Sequence, residues 1–550
     1  MGKELFDNIP SKVGDLLNDV KNGRIGLPDL QRPFVWKDNK VRDLLDSMLK
    51  GYPIGYVMLW ESPADFENKG QIGINDKTFN TARDLVIDGQ QRLTALLGAI
   101  KGIKIKNVNY EERNIKISFN PLKREFAVWS QAYERNPEWI SAVSQVFAAH
   151  EEQLNVTKFR KSYICQLNES RVRNELHIYL LPTLRISATA SEQDVADIFV
   201  RVNSGGQKLT EKNFIETLLA VYDNEIHDKI NDFCRTSRIP EARTSYNHIL
   251  EVNPVHLIRA TVGIAFKRAR LKYAYMLLRG KDLQTGLFAE ETRADNLLKF
   301  REALTLVVNL NHWHAFMNIV AEAGYLNGSL VSSENAIVFS YMLYLIGKTE
   351  YNVQPMELKK IMQRWFFMTT IKGFYTNSPE SAVEKQFADL RKVHTSRDFV
   401  DYLNNEIKSQ FTDDYFKYNL PNDLVTSSTQ SPAWYGYVAS LNVLGYPMLF
   451  SNTPTSKYFI VGASGGKSSI DIHHIFPKNY LSQIGIEDDR ERNQIANYTF
   501  LDYSTNIDIS DNPPSEYVLA YKSRLGVEGY KITCFQNALP ENFENLEYHD

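Results

Sequence analysis

The chain has 550 residues, of which 43% are hydrophobic, 23% charged and 12% aromatic, and its formal net charge is −3. One hydrophobic core rarely grows beyond ~250–300 residues, so more than one domain is expected. This composition excludes long disordered stretches, and the balanced charge excludes a global basic field, leaving any nucleic-acid surface as a local patch.

The opening Met1-Gly2-Lys3-Glu4-Leu5-Phe6 has no signal-peptide core. Leu27-Pro28-Asp29-Leu30-Gln31-Arg32-Pro33-Phe34-Val35-Trp36 leads into a helix predicted over Asn39–Leu49. Gly55–Trp60 and Asp84–Ile87 read as strands, and Leu93–Ile100 as a helix. Asn114–Phe119 and Glu175–Leu181 alternate and are expected to be strands. A helix from about Ser191 precedes the glycine turn Arg201-Val202-Asn203-Ser204-Gly205-Gly206, after which Thr210 caps a further helix carrying Asn213.

Within this α/β region, Val86-Ile87-Asp88-Gly89-Gln90-Gln91-Arg92-Leu93 reads as strand, tight turn and helix. Gly89 permits the turn, and free amides at the helix start favour an anion. Arg92 adds a planar donor fork suited to phosphate. Asp88 and Gln91 could hold a metal, a water or a ribose. A strand-turn-helix with Asp-Gly is also common as plain architecture. Phe34 and Trp36 could stack a base, but core packing is the stronger reading.

From residue 211 to 420 apolar residues recur at helical spacing: Phe214, Leu218, Leu219 and Tyr222, then Leu257, Ala260, Ile264 and Phe266. His312 and His314 are two apart in this helical stretch and cannot share a face. The longest apolar runs, such as Ala336 to Ile346, are too short and interrupted to span a bilayer. Pro421 to Pro432 is polar and rich in Ser and Thr, which predicts a linker or mobile loop. Cys165, Cys234 and Cys534 lie far apart, which suits a reducing compartment and gives no zinc-thiolate spacing. The protein is expected to be cytoplasmic, with no membrane partner.

The last segment carries the most chemistry. Ser469-Ile470-Asp471-Ile472-His473-His474-Ile475-Phe476-Pro477 alternates like a strand and ends in two histidines and a proline, followed by Asn497 and Asn506. Tyr498–Tyr503 predicts a second strand, and Pro513-Pro514 opens a helix. Two strands and a helix suffice to hold a divalent ion against one phosphate. His473 and Asn506 would supply ligands, with Asp471 as a further candidate, and His474 would deprotonate water. Asn497 would hold the loop that orients His474. The bland alternatives are a buried histidine pair and a structural zinc site. Gly462-Ala463-Ser464-Gly465-Gly466-Lys467-Ser468 looks like a phosphate loop, but Val461 stands where the pattern needs glycine, and the segment runs into a strand.

The segment from Asp471 to Asn506 resembles the HNH, or ββα-metal, nuclease superfamily. It is closest to the version fused to ParB-like domains in GmrSD-type (type IV) modification-dependent restriction enzymes. Asp471, His473, His474, Ile475, Pro477, Asn497 and Asn506 carry this resemblance, as does the nine-residue step from Asn497 to Asn506. It implies that His474 is the general base and that His473, or an acid there, binds metal. The insert Asn479–Asn493 departs from the pattern. The order Leu27–Trp36, Gly51-Tyr52-Pro53-Ile54-Gly55, Asp88–Arg92 and Phe199–Gly206 resembles the GmrS-type ParB-like domain over nearly all of residues 1–215. Trp365-Phe366-Phe367 and Glu384–Leu390 resemble the helical end of that family. The resemblance implies a ParB/sulfiredoxin-like fold that binds and often hydrolyses a nucleoside triphosphate. Asp88, Gly89, Gln91 and Arg92 would contact phosphates, with Gln31 and Arg32 nearby.

The expected fold is therefore α+β and multidomain. It comprises a ParB-like nucleotide-binding domain (1–210), a helical domain (211–420) and an HNH nuclease domain (421–550). The expected function is a nucleotide-regulated endonuclease that uses Mg²⁺ or Mn²⁺ and cuts DNA in anti-phage defence. Its resemblance implies modified phage DNA as the target. GTP, ATP, UTP and CTP are not distinguished, and a double-strand cut would favour a homodimer. Two other functions stay open: a nucleotide-switched DNA-binding or regulatory protein with an inert nuclease remnant, and an RNA-cutting defence effector.

Overall fold

The computed structural model describes residues 5–26, 34–61, 83–106, 112–151, 163–190, 194–195, 198, 224–238, 249–278, 280–281, 289–459 and 470–549. It divides into two compact units, Met1–Asn231 and Asp232–Asp550. Residues 232–420 of the helical stretch and the segment around the histidine pair fall in the second unit. The Arg201–Gly206 turn, the Phe214–Tyr222 pattern and the Gly462–Ser468 loop lie outside the described residues.

The first unit is built on a five-stranded mixed sheet. Its elements begin with β1 (Phe6–Asn8), β2 (Ser11–Lys12), α1 (Val13–Lys21) and β3 (Ile25–Gly26). They continue with α2 (Asp38–Leu49), β4 (Val57–Glu61), β5 (Asp84–Asp88), α3 (Gln90–Lys101) and β6 (Thr183–Ile186). The sheet order is β1-β6-β4-β5-β3. β6 runs parallel to β4, and β4 antiparallel to β5 with an irregularity between Met58 and Leu59. Helix α2 buries Val41, Leu44, Leu45 and Met48, the i, i+3, i+4, i+7 stripe of an amphipathic helix. Helix α3 is buried on every side from Leu93 to Ile100, as a central core helix must be.

Two expected strands differ. Glu175–Ile178 is the last turn of a helix, Tyr163–Ile178, and only Leu180–Leu181 is strand. Val172 and Leu176 are both buried and four apart, the spacing of one helical face. In the Asn114–Phe119 run the strand is Ile117–Asn120, paired with Glu125–Val128.

Among its described residues the second unit is mainly helical as far as residue 459. Helices α4 (Pro254–Phe266), α5 (Glu334–Thr349), α6 (Pro355–Ile371), α7 (Pro379–Leu390) and α8 (Pro432–Leu444) are its main described parts. Helix α5 is buried continuously from Ala336 to Gly347. Gly263 of α4 lets it approach closely, since a Cβ there would lie 2.1 Å from Met342 Sδ. The expected linker is ordered structure. Leu420–Leu424 is helical with Pro421 at its start, and the Thr426 carbonyl accepts from Ile495 N at 2.8 Å. Ser431 then caps α8 by accepting from Trp434 N at 3.2 Å. Polar Ser and Thr serve here as caps and turn-formers rather than as solvated spacers.

After α8 come β7 (Ile470–His474), β8 (Tyr498–Asp502), α9 (Tyr503–Ile509) and α10 (Pro514–Gln536). Strands β7 and β8 pair antiparallel. Ile475, Leu501, Ile509, Tyr517, Val518 and Tyr530 belong to the core beneath them.

Candidate active site

The register sets His473 opposite Thr499 and His474 opposite Tyr498. Successive strand residues point to opposite faces, and the two imidazoles find different surroundings. His473 is only 7% exposed. Its Nδ1 lies 2.8 Å from Asn506 Oδ1, and its ring stands edge-on to Tyr517 with centroids 6.5 Å apart. Tyr517 is fixed in turn, its hydroxyl donating to the Ile475 carbonyl at 2.9 Å. Asn506 reaches this place because Asp502 caps α9, accepting from Thr505 N at 2.8 Å and Ser504 Oγ at 2.8 Å. Burial opposes the Asp502 carboxylate, but the hydrogen bonds from Thr505, Ser504 and Ser451 hold its pKa below the usual range.

His474 is half-buried, with Nε2 3.0 Å from Asn493 Oδ1 and the Tyr498 ring edge-on at 4.9 Å. An amide oxygen only accepts, so Nε2 carries the proton of that pair. The neutral ring then has its lone pair at Nδ1. Desolvation pushes the His474 pKa down, the Asn493 bond raises it, and the Lys478 and Arg492 charges lower it further, for a net depression. Arg492 is held in place by bonds to Ser482 Oγ at 2.7 Å and Asp489 Oδ1 at 2.9 Å.

Asn497 ties together both ends of the connection between the strands. Its Oδ1 accepts from Phe476 N at 2.8 Å, while Nδ2 donates to the carbonyls of Phe476 and Arg492, both at 3.1 Å. Its own carbonyl accepts from Ile475 N at 2.8 Å. Asn497 therefore acts on the backbone next to His474 and next to Asn493. The Asp471 backbone pairs with Leu501, but its side chain lies outside the described residues. Asn493 was not a sequence candidate, because its spacing to His474 follows no strand or helix period.

Among the described residues no three His, Cys, Asp or Glu side chains converge as a metal cluster. His473 Nδ1 donates to Asn506 Oδ1 at 2.8 Å, so a cation could take both atoms as ligands only by displacing that proton. Neighbouring ligands of Mg²⁺, with bonds of ~2.1 Å, stand about 3 Å apart. The pair therefore fits a hard cation that takes its other ligands from phosphate and water.

In the first unit, Asp88 ends β5 and Gly89 opens α3 with φ 92°. A Cβ at Gly89 would lie 3.0 Å from both the Tyr56 carbonyl oxygen and Val57 Cγ2, so the turn requires glycine. Gln91 Oε1 accepts from Val35 N at 3.1 Å. Arg92 donates to the Tyr56 carbonyl and lies over Gly55, whose φ is +95° and whose Cβ would stand 2.6 Å from the guanidinium. Desolvation pushes the Arg92 pKa down, against the opposing charge of Asp88. Gly55 and Tyr56 thus join this loop, a partnership visible in sequence only as a glycine ahead of a strand. Phe34 is buried in the core, with Arg113 over its ring at 5.5 Å. Gln31 and Arg32 lie outside the described residues.

Residues 13–220 match the family model of the GmrSD restriction endonuclease N-terminal domain. An uncharacterized protein of Methanocaldococcus jannaschii is 24% identical over 539 residues, covering 92% of this chain and 85% of that relative. The family match supports a restriction-endonuclease-like role. No helix among the described residues is long and apolar enough to cross a membrane.

Proposed function

We propose that a chain whose first unit carries this restriction-endonuclease match is itself a metal-dependent DNA endonuclease, with its hydrolytic site on β7, β8 and α9. The observation that carries the reading is the placement of His473 Nδ1 on Asn506 Oδ1 at 2.8 Å, one residue from a His474 whose Nε2 is engaged by Asn493 at 3.0 Å. His473 and Asn506 would hold Mg²⁺ or Mn²⁺, with Asp471 nearby in sequence. When bound, such a cation stabilises negative charge on the scissile phosphate. His474 Nδ1 takes a proton from the attacking water, and its depressed pKa keeps it unprotonated near neutral pH. Asn493 holds the ring in the tautomer that leaves Nδ1 basic, and Asn497 fixes the backbone on either side. Lys478 and Arg492 bring positive charge to a site that must admit a polyanion.

The first unit is proposed to bind a nucleoside triphosphate at the start of α3, through the Gly89 turn and the amides that follow, with Asp88, Gln91 and Arg92 shaping the loop and Gln31 and Arg32 supplying further contacts. The position of the Gly89 turn at the positive end of the buried helix α3 supports this. Modified phage DNA is the proposed target.

The test is plasmid nicking with Mg²⁺, Mn²⁺ or a chelator, on modified and unmodified DNA and on RNA, with and without each nucleotide. Metal-dependent DNA cleavage that is lost in His474→Ala supports the reading. Cleavage unaffected by that substitution refutes the site.

A further inference from the structure

We infer that Tyr548 is a positioning residue for His474, acting through the connection between β7 and β8; this rests on the endonuclease reading above. The segment Phe543–His549 is anchored at one end. Phe543 is buried and stacks on Tyr530 with centroids 6.3 Å apart. Glu544, also buried, accepts from Lys522 Nζ at 2.6 Å and Tyr530 Oη at 2.8 Å. From that anchor the chain reaches the candidate site. Tyr548 sets its ring edge-on to Phe476, with centroids 5.5 Å apart, and its hydroxyl donates to the Glu491 carbonyl. His549 Nε2 lies 3.5 Å from the Glu491 carboxylate, an exposed and weaker contact.

Phe476 and Glu491 are the two ends of the structure that holds His474. Phe476 is two residues beyond His474, and its backbone is bonded twice by Asn497. Glu491 is two residues before Asn493, whose Oδ1 receives His474 Nε2 at 3.0 Å. Tyr548 therefore braces both ends together with Asn497, one partner acting by ring packing and the other by amide bonds. An imidazole is only as well oriented as the group that receives its second nitrogen. A connection free to shift would let the His474 ring exchange tautomers.

Two measurements on the full chain test this. One is nicking of supercoiled plasmid with Mg²⁺. The other is the ring ¹⁵N signature of His474 in the free protein, which reports its tautomer. Tyr548→Ala is expected to lower kcat by roughly 10-fold, with KM for DNA nearly unchanged. It should convert a single Nε2–H ring signature into a mixture, as is expected of Asn493→Ala too. Tyr548→Phe keeps the ring on Phe476 and should fall between. A single Nε2–H tautomer in folded Tyr548→Ala overturns the inference, even if kcat falls. Should Tyr548→Ala fail to fold, a wild-type kcat and ring signature in Tyr548→Phe overturn it. If the wild type cuts no DNA, the endonuclease reading fails, while the ring signature still decides the brace.

Discussion

Asn493 Oδ1 receives His474 Nε2 at 3.0 Å from within the insert that separates the two strands. The residues that look like an interruption of a metal-nuclease pattern therefore contribute to the environment of its proposed base.

His474→Ala should abolish nicking while DNA binding persists, because it removes only the group that takes the proton. Loss of a general base typically costs ~10²–10⁴-fold in kcat. Single-turnover cleavage beside a binding isotherm separates the two effects. A variant that neither cuts nor binds would instead indicate a structural role.

Acid should affect this enzyme late. The His474 pKa lies below the ordinary histidine value through desolvation and the Lys478 and Arg492 charges. A base works while unprotonated, so the acid limb of the kcat profile should have its midpoint below ~6.5. The same sign governs stability: with the folded pKa depressed, the unfolded chain binds more protons, so stability is full above the unfolded value and is lost as pH drops from there through the folded one. Arg492→Gln should move the acid limb upward. An unmoved limb would show that another group sets it.

Removal of metal should stop cleavage without unfolding the chain. The proposed protein ligands are one imidazole and one amide oxygen with no thiolate, too few to hold zinc tightly, and the amide, phosphate and water oxygens suit Mg²⁺ or Mn²⁺. Asn506→Ala should raise the metal concentration needed for half-maximal activity. Zinc retained through dialysis at one per chain, with unfolding on its removal, would point to a structural site.

Arg92→Ala should weaken nucleotide binding and also lower the melting temperature. The guanidinium makes a charge-assisted bond to the Tyr56 carbonyl and covers Gly55, and such a bond is worth roughly 1.5–3 kcal/mol. Arg92→Lys should recover little of either, since a point charge does not reproduce the planar fork. Calorimetry with each triphosphate and thermal melts of the same proteins check both halves. A full loss of binding with an unchanged melting temperature would mean that the Tyr56 contact contributes nothing to the fold.

The sequence carried the elements better than their partners. The strand ending at His474 was legible from the alternation of Ile470 and Ile472 with polar residues, and α2 from its apolar stripe. Helix α9 was not, because seven residues with only Thr505 and Ile509 buried leave too short a pattern. Glu175–Leu181 misled because its apolar alternation runs off a helix end, with Leu176 buried but Ile178 and Leu180 exposed. The pairing of β4 with β6 joins residues 57–60 to 183–186, a distance along the chain that no local pattern encodes. The same holds for Asn493 and Tyr548, whose roles depend on how a long connection folds back.

The strand register has a consequence for how this site could vary. His473 and His474 differ in environment because β7 pairs with β8 as His473 to Thr499 and His474 to Tyr498. A one-residue slip would turn each ring to the other's side, since the side-chain period of a strand is two. One imidazole would then take the other's place, and Ile472 or Ile475 would stand where that ring had been. Deleting a single residue from β7 should therefore be more damaging than substituting most of its side chains. A chain carrying that deletion would keep every residue type of the motif and lose its geometry.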